Sequence, residues 1–220
     1  TVIEKPIKII KLSDTVYQHI SYKHVSPWGM VGASGLIVID KQQAIIIDTP
    51  WTLPATKQLL AWIEQQGLSV SAAVVSHFHE DASAHLTFLH QNDIATYATT
   101  MTNKLLSENN RTIASKQITE KIEKLFDGVI EVFYPGAGHT QDNVVVWLPH
   151  EKILFGGCLV KSLKSNNLGN TEDANIKSWP QTIENIKKQY PEIKLVVPGH
   201  GPKGDKRLLT HTQQLALTGR

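Results

Sequence analysis

His77, His79 and Asp81 fall within five residues, in the run Val74-Val75-Ser76-His77-Phe78-His79-Glu80-Asp81. Imidazole nitrogens and a carboxylate oxygen are good ligands for transition metals, zinc among them. The apolar residues Ala73–Val75 just before them read as the end of a buried strand. Past a strand end the chain turns, and a turn can aim alternate side chains at one point. Three more candidates stand at similar junctions: His139 in Pro135-Gly136-Ala137-Gly138-His139-Thr140, Cys158 after Phe155-Gly156-Gly157, and His200 after Val197-Pro198-Gly199. Glycines beside such residues let the backbone approach a site closely. Taken singly, each histidine reads equally as a turn residue. Four clusters, each at a strand-to-loop junction, point together to a metal.

The elements that must position these residues can be read from periodicity and turn residues. Residues 7–12, 16–22, 36–40 and 44–48 read as strands. Pro50 and Pro54 flank the entry to a helix over 55–66, whose Leu59, Leu60 and Ile63 share one face and whose end is marked by Gly67. Helical stretches over 84–90 and 99–107 enclose a short strand, 95–98. After a polar region, strands are expected over 129–134, 143–148, 152–155 and 195–197, with helices over 176–190 and 205–217. This order suggests two similar halves, each of strands with helices outside, and an α+β architecture.

Bulk properties narrow the class. A chain of 220 residues suits a single domain, 1–220, or two tightly fused halves. Its 41% hydrophobic and 19% charged residues are those of an ordinary globular protein. A net charge of +2, with no basic block, argues against nucleic acid as a partner. No apolar run approaches the ~18 residues of a membrane span. Cys158 is the only cysteine, which excludes an intramolecular disulfide and leaves a core residue, a nucleophile or a metal ligand. The chain starts at Thr1, and a signal peptide is expected to have been removed.

His77-Phe78-His79-Glu80-Asp81, Gly138-His139-Thr140, Gly156-Gly157-Cys158 and Gly199-His200 together resemble the ligand motifs of a metallo-β-lactamase, the di-zinc subclass with a three-histidine site and an Asp-Cys-His site. The stretches 130–135, 142–148, 153–158, 173–176 and 194–198 are similar to that subclass too, so the resemblance runs from about Val16 to His200. It implies an αβ/βα four-layer sandwich, with two β-sheets packed face to face and helices outside. One departure is informative: the wider superfamily usually places a further histidine after the aspartate, and Ala82 stands there. With Cys158 present, this favours the lactamase subclass over thioester-hydrolase relatives.

The resemblance implies two zinc ions per chain, one on His77, His79 and His139 and one on Asp81, Cys158 and His200. A three-imidazole site leaves a position at which bound water has a pKa near ~7, giving a metal-bound hydroxide. The implied reaction is hydrolysis of the β-lactam amide of penicillins, cephalosporins and carbapenems, conferring antibiotic resistance. Asp81 would also orient the nucleophile. Lys161 resembles the residue that pairs with the substrate carboxylate, and Asn170 the donor to the developing oxyanion; read alone, they are a surface lysine and a turn asparagine. Asp48 resembles a carboxylate beneath the metals that orients their ligands, or caps the helix that follows. Trp28, in the loop 26–32, resembles the apolar tip of a flap over the substrate; it and Trp51 read equally as core. His19, His24, His85, His90, His150 and His211 match no ligand motif and read as structural or surface residues. A periplasmic monomer with a small-molecule substrate is expected. Other superfamily hydrolases and a purely structural zinc module are the competing readings.

Overall fold

The computed structural model describes residues 4–219; the Thr1 terminus, read above as processed, lies outside them. The chain forms two compact units that divide after Ile118. Each has its own sheet and its own core, as the expectation of two halves requires.

The first unit carries a seven-stranded sheet in chain order. Strands β1 (Lys8–Lys11), β2 (Val16–Val25), β3 (Gly29–Asp40) and β4 (Gln43–Ile47) pair antiparallel. From β4 onward the pairing is parallel, through β5 (Ser69–Val74), β6 (Ala95–Thr99) and β7 (Lys116–Ile118). Parallel neighbours need a crossover, and helices supply it: α1 (Leu53–Gln65), α2 (Glu80–Ser83), α3 (Leu86–Gln91) and α4 (Thr100–Glu108). α1 starts where Thr52 Oγ1 accepts from Ala55 N–H at 3.3 Å, with Pro54 in the first turn, where its missing N–H costs nothing. Its Leu59 and Ile63 are fully buried against Ile37, Ile46, Ala73 and Leu106, each contributing about 1.5–3 kcal/mol of burial.

The second unit holds a five-stranded sheet in the order β12-β11-β10-β9-β8. β8 (Ile122–Leu125), β9 (Ile130–Phe133), β10 (Val145–Leu148) and β11 (Ile153–Gly157) are antiparallel. β12 (Leu195–Pro198) runs parallel to β11 after the crossover α5 (Trp179–Gln189), and α6 (Arg207–Thr218) closes the chain. Trp179, Ile183 and Ile186 of α5 pack with Leu208 and Leu209 of α6 on Leu154 and Val196.

Three departures from the expected elements have physical causes. β7 and β8 fall in the region read as merely polar. Both are edge strands, and only Ile118 among their residues is buried, so they lack a hydrophobic signature. α5 begins at Trp179 rather than Ile176, because Pro180 is tolerated only in a first turn and Asn175 Oδ1 accepts from Ser178 N–H at 3.0 Å just before it. The Trp28 segment is a tight turn rather than a loop over 26–32: β2 and β3 remain paired up to Val25 and Gly29, making a long two-stranded hairpin.

Gly35 in β3 marks a close approach, since a Cβ there would overlap His19 Nε2 and the Ile47 carbonyl. Gly35→Ala is therefore expected to cost about 1–3 kcal/mol of stability, measured by urea unfolding. His19 is fully buried, its Nε2–H donating to the Asp48 carbonyl at 2.9 Å, and burial pulls its pKa down to about 4. The unfolded chain takes up that proton near pH ~6.5, so below this pH it binds more protons than the folded chain. Stability should fall as pH drops from about 6.5 to 4, and His19→Gln should flatten that slope in urea midpoints. An unchanged slope would remove His19 as its source.

Candidate metal centre

The carboxyl ends of the parallel strands carry the chemistry, where α/β sheets generally place their ligand-binding residues. β5 ends at Val74, and Ser76 and His77 follow at once. His79 is the N-cap of the single turn α2, which carries Asp81. The ligand atoms of His77, His79 and Asp81 lie within 4.8 Å of one another. His77 Nε2 is 3.6 Å from Asp81 Oδ1, and the two histidine rings meet edge to face at 5.0 Å. His77 is 1% exposed.

Asp48 governs how His77 is held. It follows β4 in the left-handed region, at φ 59°, a conformation that costs a non-glycine residue energy and clusters at functional sites. The helix cap is Thr52 instead, and Asp48 is 3% exposed. Its Oδ1 accepts from Ser76 N–H at 2.7 Å and its Oδ2 from the Ser76 hydroxyl at 2.8 Å. Ser76 Oγ lies 3.0 Å from His77 Nδ1. With Asp48 ionised, the hydroxyl proton is committed to Oδ2, so Ser76 Oγ accepts from His77 Nδ1–H and leaves Nε2 with a lone pair. Burial pushes the Asp48 carboxyl well above the usual range, the Ser76 bonds oppose this, and the nearby Asp81 charge adds to it. A cation held by His77 and Asp81 would favour the ionised form.

In the second unit, Cys158 follows β11 and His200 follows β12, so parallel pairing of Gly157 with Pro198 sets them side by side. Cys158 Sγ is 3.5 Å from His200 Nε2. Gly199 is required here: a Cβ would lie 2.6 Å from Cys158 Sγ and 2.7 Å from its backbone nitrogen. His139 is buried in the turn before β10. Asn143 staples that turn, its Oδ1 accepting from Thr140 N–H at 2.9 Å and its Nδ2 donating to Gly136 O at 2.8 Å. Beneath, Trp179 lies edge to face with His139 at 6.2 Å and donates from Nε1 to Leu159 O at 2.9 Å.

Lys161 N–H donates to Thr212 Oγ1 at 2.8 Å, and its ammonium stands 5.8 Å over the Trp179 ring. Asn170 is exposed, its Oδ1 accepting from Glu172 N–H at 3.1 Å. That turn occupies the amide oxygen and leaves the NH₂ as the donor. Trp28 is 59% exposed at the hairpin tip, which excludes a core role. Trp51 is half-buried, with Lys23 Nζ 5.9 Å over its ring. Of the other histidines, His85 meets Trp51 O at 3.2 Å, His90 meets Thr96 Oγ1 at 2.7 Å, His211 meets Ser165 O at 2.7 Å, and His24 and His150 are exposed.

Imidazoles, a carboxylate and a thiol suit zinc, and the convergence of three donor atoms in the first unit and two in the second fits a bound cation. Residues 28–200 match the metallo-β-lactamase superfamily, and the chain belongs to it. A type 2 metallo-β-lactamase of Pseudomonas aeruginosa is 42% identical over 213 residues, 97% of this chain and 85% of that protein. One of Bacteroides fragilis is 37% identical over 97% of this chain and 86% of its own length. The crystal structure of VMB-1 matches with a TM-score of 0.96 and 59% identity, over 98% of this chain and 99% of that one. That of the DIM-1 metallo-β-lactamase exposed to ceftazidime matches at 0.97 and 46%, over 99% and 100%. The fold class expected from the sequence is thereby borne out.

Ser76→Ala removes the acceptor that orients His77. It should weaken zinc binding about 10–100-fold, read by competition with a chromophoric chelator, and, because Asp48 Oδ2 loses its hydroxyl donor, lower the stability of zinc-free protein by about 1–3 kcal/mol.

Proposed function

We propose that this chain is a zinc β-lactamase that hydrolyses the amide of penicillins, cephalosporins and carbapenems and thereby confers resistance to them. The observation that carries this reading is the donor set of His77, His79 and Asp81 after β5 and of Cys158 and His200 after β11 and β12, in a chain of the metallo-β-lactamase family. Two zinc ions per chain are proposed, one on His77, His79 and His139 and one on Asp81, Cys158 and His200. Bound zinc would supply a Lewis acid that polarises a carbonyl and brings the pKa of water down to about 7.

The chain's own residues do the rest. Ser76 and Asp48 hold His77 in the tautomer that binds through Nε2. Asp81 orients the attacking water. Cys158 serves as a thiolate ligand, and no histidine base for a cysteine nucleophile is required. Lys161 pairs with the carboxylate that β-lactams carry, which positions the ring. Asn170 donates from its amide to the substrate oxygen as charge builds there. Trp28 covers the apolar side of the substrate from the hairpin tip. Residues 1–220 act as one catalytic domain and as a monomer. The bacterial periplasm is the compartment in which such substrates meet their cell-wall targets. Among the described residues, no helix is long and apolar enough to cross a membrane.

Ala82, directly after Asp81, offers no ligand to a metal, which disfavours the thioester- or phosphodiester-hydrolase alternative within the superfamily. Hydrolysis of a carbapenem, followed by ultraviolet absorbance, tests the reading. Activity should vanish on chelation, return with zinc, and saturate near two ions per chain by metal analysis. No turnover of any β-lactam by zinc-loaded protein would sink it. Lys161→Ala should raise KM about tenfold for carboxylate-bearing substrates with little change in kcat, the signature of lost uniform binding.

A further inference from the structure

Arg111 lies far in sequence from every candidate metal ligand, just beyond α4, where its N–H donates to Leu106 O at 2.9 Å. Its guanidinium reaches back to the loop that carries the first three candidate ligands. Nη1 donates to the carbonyl of Phe78, the residue between His77 and His79. Nη2 donates to Ser83 O at 2.9 Å and to Ser83 Oγ at 3.0 Å, two residues beyond Asp81. One rigid planar fork thus grips both ends of the segment 78–83. The Ser83 hydroxyl closes the same ring from inside, 2.8 Å from Phe78 O and 2.9 Å from His79 O.

The segment needs such a grip. α2 is a single turn of four residues, Glu80–Ser83, and an isolated turn does not hold itself in water. Of its last carbonyls, Ala82 O takes Thr49 N–H at 2.9 Å and Ser83 O takes the guanidinium, a cationic donor that suits that end of the helix. Arginine supplies two parallel donors in fixed geometry, which lysine cannot. The guanidinium is also close enough to Glu80 and Asp81 for their charges to act on it.

We propose that Arg111 is a positioning residue for the metal-binding loop, its guanidinium bridging Phe78 and Ser83 so that His77, His79 and Asp81 stay aimed at one point. The inference rests on the reading of those three as zinc ligands. Its residue touches neither substrate nor ligand atom, and it acts through the backbone.

The test uses whole protein and three variants, Arg111→Ala, Arg111→Lys and Ser83→Ala, the last a milder deletion from the same ring. Zinc affinity is measured by chelator competition, and kcat and KM at saturating zinc. Arg111→Ala should bind zinc about 10–100-fold more weakly, by analogy with other groups that orient ligands, and lose kcat more than KM. Arg111→Lys should recover only part of the loss, and Ser83→Ala should shift both quantities in the same direction by less. If Arg111→Ala does not fold, the Ser83→Ala and Arg111→Lys shifts decide the matter alone. Affinity and kcat within twofold of the parent in the folded variants would overturn the proposal. Parent protein that binds no zinc, or binds it unchanged in His77→Ala, would instead overturn the ligand assignment itself.

Discussion

A neutral imidazole offers a cation only one of its two nitrogens, so the donor cluster of the first unit depends on where the His77 proton sits. Asp48, Ser76 and His77 form a chain of three hydrogen-bonding groups that settles it once Asp48 is ionised, the form a bound cation favours, with the carboxylate at one end and the Nε2 lone pair at the other. The rest of the first unit serves that chain. β4 delivers Asp48 in a strained left-handed conformation, β5 delivers Ser76 beside it, and His19 from β2 holds the Asp48 carbonyl from below. A buried carboxylate is expensive by itself, and two donors from Ser76, one to each oxygen, offset part of that cost here.

Parallel pairing is the common device of both units. Adjacent parallel strands end on the same side, so residues just past their ends become neighbours without any special loop. β4 and β5 bring Asp48 to Ser76; β11 and β12 bring Cys158 to His200. In the second unit the approach is so close that only glycine fits at 199. The antiparallel strands give each sheet width and give the first unit its long hairpin, with Trp28 exposed at the tip.

Much of this was legible in the residues, for identifiable reasons. Metal-ligand chemistry is confined to a few residue types, so His77, His79, Asp81, His139, Cys158 and His200 stand out beside strand ends. The buried strands β4, β5, β10 and β11 and the one-sided helix α1 carry strong hydrophobic signals. The edge strands β7 and β8 do not, because half-exposed pairs need no apolar run. Nor could sequence distinguish the hairpin that carries Trp28 from a loop, since its register is set by backbone pairing with β2. Ser76 and Arg111 were invisible for another reason. A serine before a histidine has no special pattern, and the acceptors of Arg111, two main-chain carbonyls and the Ser83 hydroxyl, lie 28 and 33 residues away.

Neither sheet borrows a strand from the other half of the chain: β1 to β7 end at Ile118, and β8 begins at Ile122. Folding can therefore proceed in two instalments, with the first sheet and its helices assembled from a contiguous segment before the second is available. Local assembly of this kind shortens the loops that must be closed and hastens folding. The Asp48–Ser76–His77 chain and the Arg111 clamp both belong wholly to the earlier instalment. Asp81, His77, His79 and their supports can thus be set in place while Cys158, the chain's one oxidisable thiol, is still to come.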